Sequence, residues 1–143
     1  MPHSLFHLAF PVSNIFDTKR FYVDGLGCQV GRENTASIIL NLRGNQLVAH
    51  VTTEPIAPQR GIYPRHFGLI FTDEAEWRSL DQAEQQHLRF HQSPKCRFTG
   101  TPLEHSTFFL EDPFFNLLEF KYYRNFEAIF GEVEWVQIGD GEA

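Results

Sequence analysis

The sequence predicts an α+β fold: two βαβββ modules forming a mixed sheet curved around a cavity. Three observations predict it. Strand-like and helix-like runs come in the same order twice, with opening strands offset by 59 residues (His7 to His66). Each opening strand, "FHLAF" and "HFGLIF", carries one histidine among apolar residues. Between them lies "TTEPIAPQRGIYP" (52–64), which holds three of the eight prolines and reads as a linker. Residues 1–143 are therefore expected to form a single domain, with module one at about 4–52, the linker at 53–64, module two at about 65–123 and a tail at 124–143.

In module one, "LFHLAFPV" (5–12) alternates as a strand closed by Pro11. "SNIFDTKRFYVDGLG" (13–27) is helical: Ser13 or Asn14 caps it, Asp17 lies in its first turn, and Gly25 and Gly27 stop it. "CQVGR", "SIILNL" and "QLVAHV" follow as strands, with "RGN" (43–45) as the hairpin turn between the last two. In module two, "HFGLIF" (66–71) is a strand. "TDEAEWRSLDQAEQQH" (72–87) is a helix capped by Thr72 or Asp73, with Trp77, Leu80 and Ala83 on one face. "RFHQSPKCRF", "STFFLED" and "NLLEFKYY" complete the set, "DPFFN" turning between the last two. The tail reads as a short helix packing down through Phe126, Ile129 and Phe130, or as an oligomer contact.

Composition excludes several functions. Hydrophobic residues are 42% and aromatics 15%, fifteen of them Phe, so the chain folds rather than staying disordered. Net charge is −6 with no Lys/Arg cluster, which argues against a nucleic-acid or anionic-membrane partner. No apolar run is long enough to span a bilayer. "MPHSLFHLAFPVS" lacks the basic start of a signal peptide, and Cys28 and Cys96 make neither a CxxC nor a disulfide framework. A cytoplasmic location with reduced, structural thiols is expected.

"EDPFFNLLEF" (111–120) places Glu119 in an apolar run. A buried carboxylate costs on the order of several kcal/mol unless it is paired or bound to a metal. If the two opening strands lie side by side, His7 and His66 converge and Glu119 completes a two-His-one-carboxylate set. That donor set suits a divalent metal, Fe(II) above all, with Mn(II), Zn(II) or Ni(II) as alternatives. The plainer reading of the same residues is an ion pair of Glu119 with Lys or Arg and two histidines satisfied within their strands. His3, His87 and His91 read as surface residues, and Glu104 and His105 as a loop or strand start.

"FHLAFPVSNIFDTKRFYVDGLGCQVGR", "HFGLIF" and "LEDPFFNLLEF" together resemble the vicinal oxygen chelate superfamily across about residues 5–123. The closing motif there is usually Asp-Pro-x-Gly-Asn-x-x-Glu; here Phe115 stands at the glycine. The resemblance implies metal ligands His7, His66 and Glu119. It places Val48 at the station of the fourth ligand of glyoxalase I enzymes, which leaves open positions. It implies an extradiol-type dioxygenase acting on a catechol or vicinal diol with O2, with His50 as acid/base. Alternation puts Lys121 and Tyr123 on the face of Glu119, where the Tyr123 phenol would donate to a substrate oxygen or pack on the tail. Gln46, Val48 and Phe109 (or Phe108) would line the substrate cavity, and a homodimer is implied. The alternatives are an isomerase of glyoxalase type, an epoxide-opening transferase of fosfomycin-resistance type, and a binding protein without chemistry. No basic cluster for a phosphonate is evident in the sequence, although Arg97, Lys121 and Arg124 keep one open.

Overall fold

Alternation of apolar and polar residues builds eight strands in two sheets. The computed structural model describes residues 3–80 and 88–139. In chain order the elements are β1 (His7–Val12), α1 (Ile15–Lys19), a π-helical continuation (Arg20–Gly25), β2 (Gln29–Glu33), β3 (Ser37–Leu42) and β4 (Asn45–Val51). Then come β5 (Phe67–Phe71), α2 (Glu74–Ser79), β6 (Phe90–Arg97), β7 (His105–Glu111), β8 (Leu117–Tyr123) and a 3₁₀ turn (Phe126–Ile129). Both halves are βαβββ, as the repeated order predicts. No helix among the described residues is long and apolar enough to cross a membrane. The part of the second helix expected over 81–87, with Ala83 and His87, lies outside the described residues.

Local chemistry sets the boundaries. The Asn14 side chain accepts from the Asp17 amide at 2.7 Å, so Asn14 rather than Ser13 is the first cap; Asp73 caps α2. Arg43 and Gly44 both take positive φ, 49° and 92°, as a two-residue hairpin between β3 and β4 demands. Pro11 does not end β1, which continues to Val12. β1 lies at the sheet edge, where a residue without an N–H is tolerated.

Within one chain the modules form two four-stranded mixed sheets, not one continuous sheet. The orders are β1-β4-β3-β2 and β5-β8-β7-β6, and in each the first strand runs parallel to the last. The apolar faces of both sheets share one core: Phe10, Leu40 and Leu47 from the first, Phe71, Phe108, Leu118 and Phe120 from the second, with Tyr22 and Trp77 from the helices. The Phe10 and Phe67 rings stand 5.5 Å apart. Two polar ties cross the same junction. Tyr22 Oη donates to Asp112 Oδ2 at 2.7 Å, and Asn116 Nδ2 donates to the Pro11 carbonyl at 3.0 Å. Cys28 is buried, and burial pushes its thiol up to about 12; Cys96 is exposed. This packing decides where the histidines go. Phe10 and Phe67 turn into the core, so His7 and His66, odd steps along their strands, lie on the opposite faces.

Candidate active site

β8 supplies the centre of the site. Its even residues, Leu118 and Phe120, are wholly buried in the core, and its odd residues face the other way. Register carries the alternation across the sheet: Phe109 opposes Glu119, Thr107 opposes Lys121, and His105 opposes Tyr123. On the other flank β5 runs parallel, with Gly68 opposite Glu119. A Cβ on Gly68 would lie 1.7 Å from the Glu119 carbonyl oxygen, so only glycine fits there. That close approach brings His66, two residues earlier, to Glu119.

His66 and Glu119 are bonded, Nε2 to Oε1, at 3.1 Å. The other ring nitrogen, Nδ1–H, donates to the Ile62 carbonyl at 2.6 Å, which fixes the orientation of the imidazole. The wholly buried Phe109 stands edge-on to it, ring centroids 5.0 Å apart. Thr107 Oγ1 donates to Glu119 Oε2, and Lys121 Nζ lies 3.9 Å from Oε1. Burial pushes the Glu119 carboxyl up, but the hydrogen bonds from His66 and Thr107 and the charge of Lys121 outweigh it and hold it at about 2. The bond to Glu119 raises the His66 pKa, against the opposing effect of burial. The cost of burying Glu119 is thus already met within the chain by His66, Thr107 and Lys121.

The pair opens into a cavity of about 540 Å³. Its floor also carries Arg97, His105, Lys121 and Tyr123, and the tail closes one side with Ile129 and Trp135. Lys121 Nζ donates to Tyr123 Oη at 3.2 Å. His105 is buried, and its Nδ1–H donates to the Leu103 carbonyl at 2.9 Å; burial pushes its pKa down. Arg124 is elsewhere, paired at the surface with Glu104 at 3.4 Å.

Of the residues singled out in the sequence, the structure brings together His66, Glu119 and Tyr123. Phe109 supports the His66 ring from below. His7 stands apart. It is exposed on sheet one, where its Nδ1–H donates to Gln46 Oε1 at 2.7 Å. Convergence of His7 on His66 is not found within the chain, because the faces of β1 and β5 that meet are the apolar ones. Among the described residues no three His, Cys, Asp or Glu side chains are grouped to hold a metal ion. Gln46 serves His7, and Val48 lies between Ala9 and Ile39 on sheet one; neither lines the cavity. His50 is exposed opposite Pro11, four residues beyond the His7–Gln46 rung and so about 13 Å along the strand. Thr107 is a functional candidate that the sequence did not single out, and His105, expected in a loop or strand start, lies on β7 with its ring in the cavity wall. Their signal was period two counted back from Phe109, and it needed the β7–β8 register to become visible.

Comparison with known proteins agrees with the fold. The sequence profile described as the Glyoxalase/Bleomycin resistance protein/Dioxygenase superfamily matches residues 4–120. A glyoxalase/bleomycin resistance protein/dioxygenase from Alicyclobacillus acidocaldarius is 38% identical, with a TM-score of 0.84 over 91% of this chain and 98% of that one. A glyoxalase family protein from Enterococcus faecalis is 25% identical, with a TM-score of 0.64 over 83% and 97%. The fosfomycin resistance protein FosX from Listeria monocytogenes shares the fold at 12% identity, with a TM-score of 0.65 over 90% and 99%. No curated protein matches the sequence.

Proposed function

The chain belongs to the glyoxalase/bleomycin resistance protein/dioxygenase superfamily, and on that premise we propose that it is a metal-dependent enzyme whose site is the His66–Glu119 cavity. The observation that carries the reading is the locked imidazole. His66 donates Nδ1–H to a backbone carbonyl and turns Nε2 to a carboxylate oxygen 3.1 Å away, the arrangement in which a histidine serves a metal. His7 has the same device, with Nδ1–H on Gln46. His66 and Glu119 would hold the metal from one chain, and His7 would come from a second copy. Support for a homodimer lies beside His7, where Leu5 and Phe6 are 77% and 61% exposed.

The favoured reaction is extradiol-type cleavage of a catechol by O2. A bound Fe(II) supplies the one-electron chemistry that O2 requires. The chain's own residues do the rest. His66 and Glu119 fix the geometry, the cavity holds the ring, and Tyr123 Oη, beside Lys121 Nζ, exchanges a proton with a substrate oxygen. A second reading, isomerisation or epoxide opening at the same metal, is favoured by the place of His50, which lies about 13 Å along the strand from the His7–Gln46 rung and so away from a metal that His7 would hold.

Elemental analysis of anaerobically purified protein, with titration of Fe(II), Mn(II), Zn(II) and Ni(II), tests the metal. We expect one ion per site, loss of uptake in His66→Ala and Glu119→Gln, and a dimer by sedimentation. Absence of uptake of any of them would leave the His66–Glu119 bond as a plain buried ion pair. Oxygen consumption over a catechol panel then separates the two reactions.

A further inference from the structure

His105, the first residue of β7, is 5% exposed and lines the cavity. Its Nδ1 lies 2.9 Å from the Leu103 carbonyl. A carbonyl only accepts, so Nδ1 carries the proton and Nε2 keeps a lone pair while the ring is neutral. Burial pushes the pKa of this ring down, which holds it neutral. Among the described residues no donor reaches Nε2. A second acceptor comes from the tail. Gln137 lines the same cavity, and its Oε1 is buried with no hydrogen-bond partner among the described residues. A buried acceptor left unpaired has given up its bond to water and gained nothing in exchange. A donor carried by a ligand would restore that bond.

The wall around these two atoms is largely aromatic and apolar, with Phe98, Leu103, Tyr123 and Trp135. The Tyr123 and Phe98 rings stand 4.7 and 6.0 Å from the His105 ring. The His105–Tyr123 rung is four residues, about 13 Å of strand, from the rung of Glu119. His105 therefore meets the end of a ligand remote from the His66–Glu119 pair.

We propose that the far end of this cavity selects its ligand by a hydrogen-bond donor. A hydroxyl or amine on an apolar ring donates to His105 Nε2, with Gln137 Oε1 as the second acceptor, and the ring lies against Phe98 and Trp135. His105 thus determines specificity and takes no part in the chemistry at the metal pair. This rests on the reading of the cavity as the substrate site and does not depend on a bound metal.

The test uses the full chain stripped by chelator, so that no probe is held by metal. It is titrated calorimetrically with 4-ethylphenol, 4-ethylaniline and 4-ethylanisole, the last of which keeps the oxygen and lacks the donor. At least one donor probe should bind about fivefold or more tightly than the anisole. His105→Phe and Gln137→Leu should each reduce that preference and leave the anisole unchanged. The tighter of phenol and aniline names the donor. Equal binding of all three, no binding of any probe to the wild type, or a preference that survives both substitutions would overturn the proposal. His105 is buried, so if His105→Phe does not fold by circular dichroism, Gln137→Leu and the order of the three probes decide. Failure of the metal reading looks different: no metal uptake by the same preparation, with the donor preference intact.

Discussion

Gly68 and the backbone of Glu119 approach so closely that a methyl group on Gly68 would sit 1.7 Å from the Glu119 carbonyl oxygen. The parallel strands β5 and β8 can therefore pair at this rung only with glycine on one side. Gly68→Ala must push them apart where His66 meets Glu119. Overpacking of this kind costs about 1–3 kcal/mol. We expect that loss in denaturant unfolding, together with weaker metal uptake. An alanine variant as stable as the wild type and equally able to bind metal would show that the strands have slack there.

Thr107 Oγ1 donates to the Glu119 oxygen that His66 does not use. Thr107→Val keeps the shape and removes the donor. Loss of a partner that orients a ligand lowers metal affinity about 10–100-fold. Thr107→Ser should restore most of it. If valine and threonine bind metal alike, Thr107 serves only to satisfy a buried carboxylate.

Phe115 occupies the turn between β7 and β8 with φ 66°, the left-handed region that glycine takes without strain. Asp112 holds the turn shut, Oδ1 accepting from the amides of Phe114 and Asn116 at 2.8 Å each. The turn thus keeps a glycine conformation on a phenylalanine that is 38% exposed. A non-glycine residue pays about 1–2 kcal/mol for that conformation. Phe115→Gly should therefore raise stability, by up to about 1 kcal/mol once the extra chain entropy of glycine is set against it. A clear loss of stability would mean that the ring makes up for its strain by packing.

Asp112 is buried, and burial pushes its pKa above the ordinary value, against the hydrogen bonds from Asn116, Tyr22 and Phe114. A group whose pKa is raised on folding adds stability below its unfolded pKa, about 3.9, and loses it as pH rises through the folded value. Relative to Asp112→Asn, which does not titrate, the wild type should lose stability between about pH 4 and neutrality. Paired unfolding curves across that range measure it. A gap that stays constant, or moves the other way, would show that the hydrogen bonds outweigh burial.

The duplicated order, the turn chemistry and the strand sequences "SIILNL" and "NLLEFKYY" were legible because each is local. Alternation within β8 alone put Glu119, Lys121 and Tyr123 on one face. The assembly of the site was not legible in the same way. Arg97 and His105 join Tyr123 only through antiparallel registers, and β6 reaches its register through two irregularities that no local pattern predicts. His7 lies on an opening strand, as expected, but within the chain that strand does not bring it to His66. Which faces of two sheets pack together is decided by the whole apolar surface, led by Phe10 and Phe67, and not by the ligand-capable residues that ride on the other side.

The alternation along β7 and β8 has a consequence for how such a chain changes over generations. Phe108, Leu110, Leu118 and Phe120 hold the fold, while His105, Glu119, Lys121 and Tyr123 face the cavity, and the two sets are interleaved letter by letter. Substitutions in one set leave the other's neighbours in place. New binding preferences can therefore accumulate at the cavity letters without the intermediate sequences losing the ability to fold, and a scaffold written this way is open to reuse.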